Sequence, residues 1–170
     1  MNMPSHFQGC DEAVRALSAY INLVRASDSV MSKTTAHLES EGVTGGQFAV
    51  LEALLHLGPM CQHTIAKKLL RSGGNMTLVV DNLEKQGWVK RERQEKDRRM
   101  VEIHLTAKGR RLITRIFPEH AKIVARVMSE LTAAEQDDLR RIAGKLGRDA
   151  EELCIERLKK ETQNVSNPTK

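Results

Sequence analysis

The stretch that decides the fold is His63–Val89, HTIAKKLLRSGGNMTLVVDNLEKQGWV. Its apolar residues fall into two helical sets on either side of a polar, glycine-containing break. Ile65, Ala66 and Leu69 make one apolar face, and Met76, Val79, Val80 and Leu83 make a second at spacings of three, four and seven. A helix over Gln62–Leu70 and another over Gly73–Gln86, joined through RSGGN, is a helix-turn-helix, with Gly87 placed to end the second helix. The second helix of such a pair can enter a major groove with its N-terminal residues at base edges. Asn75 is suited to adenine, the Thr77 hydroxyl to a base or phosphate, and Leu78 to a thymine methyl, with Asn82 further along the same face. Ser72 is the expected N-cap, where free N–H groups can hold a phosphate, and Gly73 and Gly74 let a backbone approach closely. The candidate reading residues are therefore Ser72, Gly74, Asn75, Thr77, Leu78 and Asn82. Plain helical hairpins share this spacing, so the residues that follow must decide.

They do so by charge. Trp88–Gln94 and Met100–Leu105 alternate as two strands, and between them lies the crowded RERQEKDRRM, Arg91–Met100. From Arg71 to Arg115 there are twelve basic and six acidic residues, a net +6 against +5 for all 170 residues. The positive balance thus sits on the helix-turn-helix and its hairpin, the footprint of a polyanion partner. A basic hairpin directly after a recognition helix makes a winged helix whose arginines can use the negative potential of a narrow minor groove. The candidate wing residues are Arg93, Lys96, Asp97, Arg98 and Arg99. The Asp97 carboxylate is positioned to hold the Arg99 guanidinium in one orientation.

Outward from this block the pattern is helical. Val14, Leu17, Ile21 and Val24 stripe a helix over about Asp11–Leu38. Thr44 with Gln47, and Thr132 with Glu135, are capping boxes, and Thr106 caps a long helix in which Pro118 predicts a kink or break. Ala150–Lys160 reads as a last helix before a polar tail. The expected fold class is mainly α with a small β hairpin: a winged helix-turn-helix over 41–106, dimerisation helices over 1–40 and 107–160, and a flexible tail over 161–170. Amphipathic helices at both ends favour a closed twofold homodimer.

Other classes find little support. Aromatics are only 3% of the chain, which points to aliphatic packing and argues against an RNA-stacking surface. Cys10, Cys61 and Cys154 lack metal spacing and read as free thiols, and no apolar run is long enough to span a membrane, so the expected location is cytoplasmic. The histidines His6, His37, His56, His63, His104 and His120 form no ligand pair, and no metal or cofactor is expected. No nucleophile elbow, zinc-protease, P-loop or dinucleotide motif is present, so no enzyme is expected.

The segment Gln47–Leu112 resembles the MarR family of bacterial winged-helix regulators, most sharply in VVDNLEKQGWVKR (79–91) and DRRMVEIHLTAKGR (97–110). The resemblance implies dimers with interleaved terminal helices and one wing per subunit, and repression through pseudo-palindromic operators in double-stranded DNA. Release by small phenolic or other aromatic ligands, or by thiol oxidation, is implied too. It places the family's wing Asp-x-Arg on Asp97 and Arg99 and its recognition helix on Gly73–Gln86, while RSGGN departs from the usual serine-proline turn. Cys10 is the candidate redox residue by position, although the lone Tyr20 does not match the tyrosine partners of the family's peroxide sensors. An effector pocket is expected between the first, second and long post-wing helices, with Arg25 and His37 as candidate polar groups. The alternatives are a thiol-responsive regulator of the same fold and a winged-helix interaction module that has lost DNA binding.

Overall fold

The computed structural model describes residues 7–69, 73–93 and 100–147. The elements run α1 (Asp11–Glu39), α2 (Gly45–Leu57), β1 (Met60–Cys61), α3 (Gln62–Lys68), α4 (Gly73–Lys85), β2 (Val89–Arg93), β3 (Val101–Leu105), α5 (Ala107–Met128) and α6 (133–147). The expected final helix over 150–160 and the tail lie outside the described residues.

Side-chain chemistry sets the helix ends. Thr44 and Gln47 close a reciprocal capping box on α2: the Thr44 N–H donates to Gln47 Oε1 at 2.9 Å and the Gln47 N–H to Thr44 Oγ1 at 3.2 Å. Thr132 and Glu135 repeat it at α6. Gly87, at φ 69°, ends α4: its N–H bonds to the Glu84 carbonyl and that of Trp88 to the Leu83 carbonyl, a Schellman pair.

The core lies where α2, α3, α4, α5 and the sheet converge. Leu51, Leu54, Ile65, Met76, Val80, Leu83, Ile103 and Ile113 are all fully buried there, and Leu38 brings in the last turn of α1. Val79, expected on the buried face of α4, is half-buried against this cluster. The N-terminal two-thirds of α1 leaves the core: Leu17, Tyr20, Leu23, Val24 and Met31 are exposed, as are Leu139, Ile142 and Leu146 along one face of α6.

The sheet has three strands rather than the expected two, in the order β1-β3-β2 and wholly antiparallel. β1 adds only the pairs Met60↔Ile103 and Cys61↔Glu102, too short a run to show alternation. Pro118 does not break α5, which continues from Ala107 to Met128. The lost hydrogen bond is offset by packing on both sides: Ile113 and Ile116 are buried before it, and Phe117 and His120 pack on His56 and Phe48 around it.

Candidate nucleic-acid interface

Helix α4 presents its surface as its spacing dictates. Met76, Val80 and Leu83 anchor one side with no exposed area, while Asn75, Thr77 and Leu78 point to solvent and Asn82 is half-buried. Leu78 is 62% exposed. A Cβ at Gly74 would meet nothing within 4 Å, so packing within the chain does not require a glycine there. Ser72 lies outside the described residues.

The wing stem is β2 paired with β3 in the register Val89↔Leu105 to Arg93↔Val101. Alternate residues divide its faces. Val89, Arg91 and Ile103 turn toward the helices. Lys90, Glu92, Glu102 and His104 form an outward lattice in which Lys90 pairs with Glu92 at 2.5 Å and His104 lies 3.3 Å from Glu102. Lys90 holds the Glu92 carboxyl below its usual value. Arg93 ends β2, exposed. Lys96, Asp97, Arg98 and Arg99 lie outside the described residues.

One arginine ties stem to helix. The Arg91 guanidinium, 28% exposed, donates to Asp81 at 2.6 Å and to Glu84, and its backbone N–H donates to the other Glu84 oxygen at 3.1 Å. Burial works against the charge, but the hydrogen bonds and charges of the two carboxylates outweigh it and raise the guanidinium pKa. The same guanidinium reaches Gln62 Oε1 at 3.4 Å, and Gln62 Nε2 donates to Thr77 Oγ1 at 2.7 Å. This network was not anticipated from sequence. Its available signals were an arginine at an inward strand position and two acids three residues apart on α4, in an otherwise basic region.

Away from α4, His37 lies half-buried where α1 meets α2 and α5. Its ring lies 5.3 Å from that of His120, which packs 4.3 Å from Phe48. Both ring nitrogens of His37 and Nδ1 of His120 are buried without a hydrogen-bond partner. Burial, then the neighbouring His37, push the His120 pKa down, against weaker opposition from Glu52 and a hydrogen bond to the Thr34 backbone. Arg25 is exposed, twelve residues earlier on α1 and so about 18 Å away along the helix, which puts it far from His37. Cys10 is exposed just before α1. Cys61 is partly buried, and its thiol lies 3.0 Å from Thr64 Oγ1, a contact that lowers its pKa. Among the described residues no group of three or more His, Cys, Asp or Glu could hold a metal ion. Nor is any helix among them long and apolar enough to cross a membrane.

Residues 43–101 match the MarR family. YkoM of Bacillus subtilis (strain 168), an uncharacterised HTH-type transcriptional regulator, is 38% identical over 145 residues, spanning 85% of this chain and 94% of its own. The chain belongs to the MarR family. The HTH-type transcriptional regulator MhqR of the same organism is 32% identical, over 82% of this chain and 96% of its own. Among solved structures, Staphylococcus aureus MepR bound to DNA superposes with a TM-score of 0.65 at 26% identity, covering 75% of this chain and 95% of its own. AbsC of Streptomyces coelicolor shares the fold with a TM-score of 0.75 at 18% identity, over 85% and 99% of the two chains. As a member of the MarR family, this chain is a DNA-binding transcriptional regulator and not an enzyme.

Proposed function

We propose that this MarR-family chain is a homodimeric, ligand-responsive repressor that binds pseudo-palindromic operators, with residues 41–106 as the reading head and 1–40 and 107–160 as the dimer-forming parts. The observation that carries this reading is the solvent-facing Asn75, Thr77 and Leu78 at the start of α4, beside a basic wing. Asn75 and Leu78 supply base-edge chemistry, and the wing supplies phosphate and minor-groove contacts through Arg93 and through Lys96, Asp97, Arg98 and Arg99. Support for repression comes from relatives that carry that description, among them the transcriptional repressor MdtR of Bacillus subtilis at 32% identity. The exposed apolar faces of α1 and α6 are the surfaces a second copy would cover.

The effector site assigned by this reading is the ring cluster of His37, His120 and Phe48. Its unpartnered ring nitrogens suit the hydroxyl or carboxyl group of a small aromatic ligand, with the Phe48 ring beside it. The three rings come from α1, α2 and α5, the helices that join the reading head to the dimer-forming parts. A ligand there would alter the spacing of two recognition helices that must fit half-sites about 34 Å apart. A MepR-like protein complexed with pseudoligands shares the fold with a TM-score of 0.57 at 28% identity.

Selection of bound sites from random duplex DNA, followed by titration with small aromatic acids and phenols, tests both parts. The reading expects an inverted-repeat motif whose binding weakens when an effector is present. Failure to enrich any sequence overturns it.

A further inference from the structure

Two acids on the recognition helix pose an electrostatic problem. Asp81 and Glu84 lie on α4, where bare carboxylates would repel an approaching phosphate backbone. Both are taken up by the guanidinium of one residue, Arg91, which comes from the wing strand rather than the helix. Glu84 is engaged twice, by the side chain and by the backbone N–H of Arg91, so β2 is fixed to α4 in both position and direction. The guanidinium also reaches the side-chain amide oxygen, Oε1, of Gln62, the first residue of α3. An amide whose oxygen faces an arginine must turn its NH2 the other way, and here the NH2 meets the Thr77 hydroxyl. The path therefore runs from wing stem through α3 to a side chain on the exposed start of α4.

We propose that Arg91 is the positioning residue of the DNA-reading surface: it clamps the wing to the recognition helix, hydrogen-bonds both of that helix's acids and offsets one of their two charges, and through Gln62 sets the Thr77 hydroxyl. This rests on the reading of α4 and the wing as the DNA-contacting elements. Arg91 itself makes no contact with the duplex. A flexible lysine would keep the charge but lose the planar fork that serves three acceptors at once. The two reading parts, wing and helix, then act as one rigid unit, which is what simultaneous contact with two grooves requires.

The experiment uses the full-length dimer and the operator recovered by random-duplex selection, with single-base variants of each half-site, at several salt concentrations. Arg91→Lys is expected to weaken operator binding roughly tenfold or more, the scale of a lost base-edge contact. The slope of log affinity against log salt should stay unchanged, because lysine keeps the charge. Gln62→Met keeps the side-chain length and removes the relay. It should flatten discrimination at the same base pair as Thr77→Val, and the double variant should be no worse than either single one. Circular dichroism and sedimentation check fold and assembly; if Arg91→Lys does not fold, the Gln62→Met and Thr77→Val cycle decides. Wild-type operator affinity in Arg91→Lys would show that the charge alone suffices and overturn the proposal. So would additive losses in the cycle, or full discrimination in all variants. Wild-type protein that selects no sequence would instead overturn the parent reading, and this proposal with it.

Discussion

A Cβ placed on Gly109 would lie 1.9 Å from the carbonyl oxygen of Trp88. The first turn of α5 thus rests directly on the backbone where the chain enters the wing. Thr106 completes the joint: its N–H donates to the Trp88 carbonyl at 3.0 Å and its hydroxyl to the Gly87 carbonyl at 2.7 Å, while the same hydroxyl accepts from the Gly109 N–H at 3.0 Å. Since the opposing atom is backbone, it cannot rotate away. Gly109→Ala is expected to destabilise the fold by about 1–3 kcal/mol, the usual range for overpacking. Urea titration should show a lower midpoint with an unchanged slope; an unchanged midpoint would contradict this close approach.

The Thr44 capping box makes a second stability prediction. Thr44 and Gln47 satisfy each other's backbone N–H at the entrance to α2. Thr44→Ala removes one acceptor and should cost about 0.5–2 kcal/mol, whereas Thr44→Ser, which keeps the oxygen, should cost much less. Thermal unfolding of the three proteins checks the order.

Periodicity made the helix-turn-helix legible because α4 buries one side: Met76, Val80 and Leu83 repeat at helical spacing whatever lies on the other side. Thr44, Gly87 and Thr106 marked element ends because each meets a backbone demand local in sequence. What stayed hidden depends on long-range contacts. β1 exists only because Met60 meets Ile103, and α5 passes Pro118 only because residues on both sides are packed. The Arg91 network reaches Gln62, 29 positions away in sequence, and His37 and His120 are brought together by tertiary packing that no local pattern encodes.

Leu78 separates function from stability. With 62% of its surface exposed it contributes little to the core, so Leu78→Ala should leave the unfolding midpoint within about 0.5 kcal/mol of wild type. Operator binding should fall roughly tenfold, with the loss confined to one base pair per half-site. A variant that binds every sequence as wild type does would remove Leu78 from the interface.

Ile142 tests the second copy. It is 54% exposed on α6, beside Leu139 and Leu146 on the same face. Ile142→Glu introduces no charge into the core of a single chain, but it would bury one at a twofold interface. Sedimentation equilibrium should show the dimer dissociation constant raised roughly tenfold or more, with helix content retained. Unchanged self-association would place the interface elsewhere.

His120 sets the sign of a pH dependence. Burial, and then His37, depress its pKa below the ordinary 6.5, so the folded chain favours the neutral ring more than the unfolded chain does. Between the folded and the ordinary value the unfolded chain binds more protons, and stability therefore rises with pH across that window. The contribution is fully present above about pH 6.5 and is lost as pH falls through the lower, folded value. Glu52, which attracts the protonated form, and the Thr34 backbone hydrogen bond oppose the shift and narrow the window. His120→Phe keeps a ring against Phe48 and removes the titrating group. Urea midpoints for both proteins, measured at about pH 7.5 and about pH 5.5, should show a larger acid loss in wild type than in the variant. Equal losses would mean that the burial of this imidazole carries no proton linkage.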